Sequence, residues 1–553
     1  MTGPAVPVTQ DGRGPSPRRQ AGLGIGRAAA LIASLTVVAR LLGLVRTVVF
    51  AKTVGATCLG TAYITANQMP NIVYDVVLGG ALTSVMVPVL ARPAERSTTD
   101  PDALAEVSQT SSALLTWTVV ILVPVSLVIA LAASPVAGLL NPANGRAGCS
   151  QAHLVTVTGN MLAVFAPQIL LYGLAVVLYG VLQAHRRFAA PALAPVISSF
   201  VVITAYLVFV PFGGKYVNDL SRLPVGAELI LSVGTTLGVA ALLLTAVVPA
   251  WRLRVRLRPT LRFPAGIGRR AGGLAAYGII ALLAQDASLL VVIVLANGHG
   301  SHASIVLYQY GWQVFEALYA VLAISIAISA FPELSVREGA EFDKTAAGSI
   351  RAVLLMSLLG TALLLAVAVP AAHFLASRAD QVPRLAAGLA LFAPGLAGYG
   401  LVACLSRVLL ASGRNRVAAV TVGGGWLLVI AADIVLVWLA PGPWVVAMLA
   451  LGNTIGLTVA GLALLITVRR ERGAGALAGV ARAAVSGLAA AAAGAGAGAA
   501  VAAALPSAGP ELEAFVALLA AVCALAVFAI VAFFLDRSKL REALASVRRA
   551  VLR

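Results

Sequence analysis

Long apolar stretches, separated by short polar segments, dominate the hydrophobic pattern of the chain. The hydrocarbon core of a bilayer is about 30 Å thick, so each spanning helix needs roughly 20 mainly apolar residues. Fourteen stretches are long enough, which predicts an all-α polytopic membrane protein with 14 transmembrane helices. The predicted spans are residues 28–50, 61–92, 108–133, 153–182, 190–211, 226–250, 271–296, 303–330, 350–371, 385–411, 417–439, 443–468, 476–504 and 511–535.

Composition supports this class and excludes several others. Hydrophobic residues make up 60% of the chain and charged residues only 11%, against roughly 25% charged residues in soluble domains. The loops between the predicted spans are short, and the sequence contains neither a GxxxxGK[ST] nor an HExxH pattern. We therefore expect no nucleotide-binding or catalytic domain, and assign the function to the helical bundle itself.

The basic residues predict the orientation in the membrane. The formal net charge is +18, and placing the N-terminus in the cytoplasm puts 31 of the 39 Lys and Arg residues on the cytoplasmic side. Because cytoplasmic loops are enriched in Lys and Arg, both termini are predicted to be cytoplasmic. This distribution indicates anionic membrane lipids as partners and disfavours nucleic acid.

Weak internal similarity indicates two lobes around a central cavity. VMVPVLARPAE near Pro88 resembles SAFPELSVREGAE near Pro332, 244 residues later, as in transporters built from parallel repeats. Alternatively, Pro and Arg recur because helix ends favour them. The predicted parts are a disordered cytoplasmic N-terminus (1–27, retained rather than cleaved), an N-lobe (28–250), a basic cytoplasmic linker (251–270), a C-lobe (271–468), an appended helix pair (469–535) and a basic cytoplasmic tail (536–553).

Two arginines in the first predicted span are the leading candidates for a binding site. An ionisable side chain is costly in lipid and asks for a partner or a hydrated cavity. Arg40 and Arg46 could both reach one wide cavity, where their forked donors suit phosphate oxygens. The alternative is that they extend to the membrane surface or pair with Asp75.

The second predicted span carries a proline flanked by carboxamides. Asn67, Gln68 and Asn71 surround Pro70, which frees a backbone carbonyl inside the helix. This pattern predicts a hinge or a polar gap, with an ordinary tolerated kink as the alternative.

Acidic residues deep in apolar runs of the C-lobe suggest a cation site. Asp286 and Asp433 could form such a site, and Asn453 and Thr454 could add neutral oxygens; intramembrane carboxyls commonly mark ion or proton pathways. The coupling ion would be Na⁺ or H⁺, and no other cofactor is expected. The alternative is hydrogen bonding between helices by protonated carboxyl groups.

Two of the four cysteines are candidates for a disulfide. Cys58 and Cys149 fall in the first and second predicted outer loops, where an oxidising compartment would permit a bond. Two unpaired thiols are the alternative.

Several motifs together resemble the MviN/MurJ family of lipid II flippases, within the multidrug/oligosaccharidyl-lipid/polysaccharide exporter superfamily. They are ARLLGLVRTVVFAKTVGA, ANQMPNIVYDVVLGGALTSVMVPVLA, HRRFAAPALAPVISS and YQYGWQVFEALYAVLAISIAISAFPELS. The resemblance implies two six-helix lobes around a cationic cavity, with the last two helices forming a groove for the lipid tail. It implies alternating access that moves the undecaprenyl-diphosphate-linked peptidoglycan precursor from the inner to the outer leaflet of the bacterial cytoplasmic membrane.

The resemblance extends to individual residues, with departures. Arg40 and Arg46 match two family arginines, and Glu316 matches a family carboxylate. The family's charged positions are replaced here by Thr61, Tyr74 and Gln313, which weakens the case for a diphosphate. Some members bind sodium between their seventh, eleventh and twelfth spanning helices. Asp286 and Asp433 lie in the seventh and eleventh predicted spans of this chain.

Lipid II transport without catalytic chemistry is thus the leading functional hypothesis, with cell-wall synthesis proteins as candidate partners. A same-fold exporter of another polyprenyl-linked glycan or an amphipathic small molecule is the first alternative. An integral-membrane glycosyltransferase is disfavoured because the predicted outer loops offer few carboxylates. A non-transporting scaffold would have no need of charged groups within the membrane.

Overall fold

The structure is a computed structural model, and it describes most of the chain. The described residues are 38–76, 100–142, 149–185, 187–253, 258–262, 267–505 and 509–535, with isolated positions at 35, 93 and 96. Nearly all of them are helical. The predicted disordered N-terminus (1–27), the basic tail (536–553) and the repeat around Pro88 lie outside the described residues.

The first half of the chain folds into helices α1 to α8. Gly55, with a φ of +71°, lies between α1 and α2 in a backbone region that favours glycine. Pro167 begins α6, where a helix needs no backbone N–H from its first residues. The helices are α1 (38–53), α2 (Cys58–Val76), α3 (Pro101–Leu131), α4 (Ala133–Leu140), α5 (Gln151–Phe165), α6 (Pro167–Ala184), α7 (Ala189–Gly213) and α8 (Val225–Trp251).

The second half folds into helices α9 to α18. A π-helical turn, Ala320–Ile324, joins α10 to α11; such turns are often found at functional sites. The helices are α9 (Ile267–His299), α10 (Ser304–Tyr319), α11 (Ser325–Val336), α12 (Gly339–Leu375), α13 (Val382–Phe392), α14 (Gly395–Ala411), α15 (Asn415–Leu439), α16 (Val445–Arg472), α17 (Val480–Ala504) and α18 (Pro510–Leu535).

The membrane-spanning character of the fold is confirmed. Within the described residues, 12 helical segments are long and apolar enough to cross a bilayer. Large apolar side chains on their outer faces are exposed, as expected for contact with lipid. The predicted number of 14 spans is not confirmed, because α1 and α2 are not among these segments.

Several predicted boundaries differ from the observed ones. The span predicted at 350–371 lies within α12, which begins at Gly339 and has 37 residues. At 1.5 Å per residue this helix is about 55 Å long, well beyond a bilayer core. Its first turns carry Asp343 and Lys344, so hydropathy alone placed the helix start too late.

Helix α17 packs closely against α12 and α18. A Cβ atom at Gly498 would lie 2.5 Å from Ala366 Cβ on α12 and 2.8 Å from the Ala520 carbonyl oxygen on α18. Gly494 would similarly meet the Ala524 carbonyl oxygen at 2.8 Å. The alanine- and glycine-rich sequence of α17 therefore allows the helix axes to approach closely, as small residues do in membranes.

Hydrogen bonds join the two halves of the chain at one end of the bundle, where α1 and α9 end and α2 begins. The Asn297 side-chain amide donates to Thr65 Oγ1 at 3.0 Å and to the Leu140 carbonyl at 2.9 Å. The Gln381 amide donates to the Ala56 carbonyl at 2.7 Å. We call this set the end closure; the predicted orientation places it on the outer side of the membrane.

Candidate functional site

A polar cavity of about 850 Å³ lies between the two halves of the chain. Helices from both halves contribute to its wall. The second-half wall is rich in aromatic residues, with the rings of Tyr319 and Tyr399 stacked at 4.1 Å. The polar and ionisable residues that line the cavity include Arg40, Arg46, Gln68, Asn71, Tyr74, Asp75, Tyr172, Asp286, Gln309, Gln313, Glu316 and Asn453.

Both arginines of α1 lie on the wall of this cavity. Arg40 Nη1 is 3.4 Å from Glu316 Oε1 on α10, and both side chains are about half exposed. Arg46 forms no ion pair within the part of the chain that the structure describes. The alternative partner Asp75 is therefore not the residue paired with Arg40, and the guanidinium of Arg46 is available to an anion.

The described part of the cavity wall is not formally cationic, whereas the resemblance implied a cationic cavity. Among the described residues, this wall carries two arginines and three carboxyl groups, those of Asp75, Asp286 and Glu316. Tyr74 and Gln313 line the same cavity at positions where the family has charged residues. An anionic headgroup would thus meet cations on α1 and carboxyl groups elsewhere on the wall.

One face of α10 is bonded to the first half of the chain along two turns. Gln309, Gln313 and Glu316 follow an i, i+4, i+7 spacing that places them on one helical face. Gln309 Oε1 accepts from Gln68 Nε2 at 3.0 Å, Gln313 accepts from Thr47 Oγ1, and Glu316 pairs with Arg40. We call these three contacts the α10 contacts.

The residues around Pro70 lie where they can line a polar gap. Helix α2 continues through Pro70 to Val76. Asn67, Gln68 and Asn71 line a smaller pocket beside the main cavity, and Tyr172 donates to Asn71 Oδ1 at 3.4 Å. Hinge motion at Pro70 stays a prediction.

Thr61 has a different setting from the other two departures from the family pattern. It is buried, and its hydroxyl donates to the Thr57 carbonyl at 2.9 Å. It is not among the residues that line either cavity. Its substitution therefore bears on helix packing rather than on the charge of the cavity wall.

The predicted cation-site residues lie at similar positions along the bundle axis, but they do not all converge on one point. Asp433 is fully buried, and neither of its carboxylate oxygens has a hydrogen-bond partner. Asp286 Oδ2 and Asn453 Oδ1 are also buried without partners. Thr454 instead donates to the Leu391 carbonyl on α13 at 2.6 Å.

The register of α9, α15 and α16 explains this arrangement. Gly423 of α15 faces Ala281 of α9, and Gly442 pairs with Gly300, so α9 and α15 run in the same direction. On this register Asp286 and Asp433 are separated along the bundle by roughly one helical turn. Gly452 of α16 lies against the Asp433 carboxylate, which brings Asn453 to the same level.

Cys58 and Cys149 form a disulfide in the structure, with an S–S distance of 1.99 Å and a Cα–Cα distance of 5.8 Å. His302 Nδ1 lies 3.7 Å from Cys149 Sγ. The three residues are close enough to suggest a metal site, but sulfur atoms committed to a disulfide are not thiolate ligands. Cys404 and Cys523 are free.

Sequence reasoning missed Thr47 and Gln309, both of which contribute to the α10 contacts. Neither residue carries a charge or belongs to a motif that would mark it in a largely apolar helix. The spacing Gln309, Gln313, Glu316 was the signal that could have found Gln309, because it predicts a polar stripe on one helical face.

A bundle of membrane-spanning helices whose two halves enclose a polar cavity defines a membrane transporter. The family model described as "Lipid II flippase MurJ" matches residues 50–509. The chain belongs to the MurJ family of lipid II flippases, which are transporters rather than enzymes.

Curated relatives match over part of their length. A probable lipid II flippase MurJ from Synechocystis sp. is 26% identical over 254 residues, which cover 45% of each chain. The lipid II flippase MurJ of Burkholderia cenocepacia is 29% identical over 185 residues, 34% of each chain. The chain thus spans less than half the length of these relatives in the aligned regions.

Solved structures support the fold over nearly the whole chain. A lipid II flippase MurJ in an inward closed conformation has a TM-score of 0.70 at 17% identity, covering 92% of this chain and 100% of the other. An inward-facing MATE-family multidrug transporter has a TM-score of 0.61 at 14% identity, covering 81% and 98%. The chain therefore shares its fold with both of these structures.

Proposed function

We propose that this protein moves lipid II across the bacterial cytoplasmic membrane by alternating access. The observation that carries the proposal is that Arg40 and Arg46 lie together on the wall of a polar cavity between the two halves. Guanidinium groups form forked, charge-assisted hydrogen bonds to phosphate oxygens. The diphosphate binds these arginines while the polyprenyl tail stays in the bilayer, along a groove formed by α17 and α18.

The α10 contacts give a route from binding to movement. Glu316 and a diphosphate compete for Arg40, because both are anionic partners of the same guanidinium. Binding of the headgroup releases α1 from this part of α10. The end closure then opens as the opposite end closes, since a ligand shifts the equilibrium toward the state that it binds better.

A cation that binds at Asp433 and Asn453, with Asp286 one turn away, couples transport to its source of energy. Buried oxygens without hydrogen-bond partners are costly unless an ion or a proton satisfies them. Carboxylate and amide oxygens suit Na⁺, and protonation would satisfy the same carboxyl groups. Either cation would couple the membrane potential or an ion gradient to the direction of transport.

We also propose 14 spans with both termini in the cytoplasm. Helices α1 and α2 add two spans to the 12 segments already described. Basic cytoplasmic segments contact anionic lipids, and cell-wall synthesis proteins are the expected protein partners.

One observation favours a second candidate, an exporter of a cationic amphipathic small molecule. Three carboxyl groups line the cavity, and the chain shares its fold with a multidrug transporter. Such a substrate would depend on Asp75, Asp286 or Glu316 rather than on the arginines.

Flipping of fluorescent lipid II in vesicles that contain only the purified protein tests the proposal. We expect transport by the wild type and at least a tenfold loss in Arg40→Ala/Arg46→Ala, because hydrogen bonds to charged groups contribute about 1.5–3 kcal/mol each. Arg222→Ala is the matched control, since Arg222 is an exposed arginine outside the cavity. Undiminished flipping by the double variant would refute the headgroup site.

A further inference from the structure

The small pocket beside the main cavity has an unusual lining. Its volume is about 80 Å³, and carboxamides dominate its polar surface. The carboxamide residues are Asn67, Gln68, Asn71, Gln309 and Gln313, and the aromatic residues are Phe50, Tyr63, Tyr206 and Tyr310. Arg46 is the one charged side chain among the described residues that line it.

The pocket and the main cavity adjoin each other and share part of their lining. Arg46, Gln68, Asn71, Gln309 and Gln313 line both of them. A substituent of a molecule held in the main cavity at Arg46 would therefore lie next to the pocket.

The lining suits a small neutral group that both donates and accepts hydrogen bonds. Each carboxamide offers two N–H donors and a carbonyl acceptor, and the neighbouring rings offer apolar contact. The volume corresponds to a few water molecules at roughly 30 Å³ each, which favours a pendant substituent over a sugar ring. An acetamido group combines an N–H, a carbonyl and a methyl group, and it carries no charge.

We infer that this pocket binds the acetamido group of the sugar to which the diphosphate is attached. The inference rests on the proposed function, because it places the diphosphate at Arg40 and Arg46. The phosphate is bonded to C1 of that sugar, and the acetamido group is carried by the adjacent carbon C2. A substituent so close to the phosphate can reach this pocket, because Arg46 lines both the pocket and the main cavity.

The Gln68–Gln309 hydrogen bond gives the pocket a means of selection. In the structure Gln68 Nε2 donates to Gln309 Oε1 at 3.0 Å. An acetamido group can replace that bond with bonds of its own, whereas a hydroxyl at the same carbon is too short to reach both carboxamides. We expect roughly tenfold discrimination, the worth of about one hydrogen bond.

Binding of two matched lipids to the purified full-length protein in nanodiscs tests the inference. The probes are undecaprenyl diphosphate linked to N-acetylglucosamine and undecaprenyl diphosphate linked to glucose, which differ in the C2 substituent. We expect the wild type to bind the first about tenfold more tightly. Gln309→Leu should bring the ratio of the two dissociation constants close to one.

Two further variants separate the causes of a change. Gln285→Leu is the matched control, because Gln285 lines the main cavity but not the pocket, and the ratio should persist. Asn71→Leu serves as a second test should Gln309→Leu fail to fold, and should also bring the ratio toward one.

The possible outcomes distinguish the inference from the proposed function. Equal binding of both lipids by the wild type, weakened by Arg40→Ala/Arg46→Ala, would overturn the acetamido pocket and leave the diphosphate site intact. Binding that ignores the two arginines would overturn both. Discrimination that survives Gln309→Leu and Asn71→Leu would place the selective contacts elsewhere.

Discussion

At the scale of single residues, the charges in the cavity have to be considered as pairs. Arg40 is bonded to Glu316 at 3.4 Å, while Arg46 lies a turn and a half further along α1 without an ionic partner among the described residues. Ion pairs between half-exposed side chains contribute only about 0–1 kcal/mol. Such a pair is weak enough for a diphosphate to displace, which a fully buried pair would not be.

Glu316→Gln should therefore strengthen anion binding. Removing the carboxylate frees Arg40, and we expect the dissociation constant for undecaprenyl diphosphate to fall roughly two- to fivefold. Glu333→Gln is the matched control, because Glu333 forms an ion pair with Arg337 at the exposed end of α11. Weaker binding by Glu316→Gln would mean that Glu316 contacts the headgroup instead of competing with it.

At the scale of helices, close packing of α17 depends on the absence of side chains. Gly498 faces Ala366 and the Ala520 carbonyl, whereas a Cβ atom at Gly496 would meet nothing within 4 Å. The two glycines lie two residues apart on the same helix, on nearly opposite faces. Substituting each glycine by alanine therefore separates the effect of packing from the effect of helix propensity.

Gly498→Ala should destabilise the protein, and Gly496→Ala should not. The added methyl group at position 498 forces α17 away from α12 and α18, which costs about 1–3 kcal/mol. At position 496 the higher helix propensity of alanine should leave the thermal midpoint unchanged or slightly raised. Thermal unfolding of both variants in detergent gives the comparison, and equal midpoints would argue against the close contact.

The same scale shows what the sequence could and could not predict. Apolar length predicted the helical segments, because lipid requires it. The depth of Arg40 and Arg46 in an apolar run predicted charged groups on a cavity wall, which is where they lie. The end of a helix outside the membrane is not marked by hydropathy, so α12 began eleven residues earlier than predicted.

Tertiary packing determined the rest of the site. Thr47 contributes to the α10 contacts because α1 lies against α10. Thr454 does not contribute to the predicted cation site because its hydroxyl donates to a carbonyl of α13. Neither contact has a local signal, since which face of a helix turns inward depends on its neighbours. Only the structure shows that Asp75 and Asp286 line the same cavity as Arg40 and Arg46, so that the described residues of its wall carry no net positive formal charge.

At the scale of the whole molecule, two sets of contacts with different chemistry join the halves within the part of the chain that the structure describes. The end closure is built from carboxamide and backbone hydrogen bonds between Asn297, Gln381 and the first half. The α10 contacts lie further from that end of the bundle and include the ion pair between Arg40 and Glu316. The proposed alternating access requires the end closure to open in every cycle, and the proposed headgroup site acts on the α10 contacts.

A covalent cross-link across the end closure should therefore stop transport. Thr65 Oγ1 and Asn297 Nδ2 are 3.0 Å apart on α2 and α9, so Thr65→Cys/Asn297→Cys places one thiol on each side of this contact. We expect the oxidised double variant to lose flipping of fluorescent lipid II in vesicles and to regain it on reduction. Each single variant, and the wild type under the same oxidant and reductant, controls for effects on Cys58–Cys149. Full transport by protein that mass spectrometry shows to be cross-linked would mean that the halves do not separate at this end.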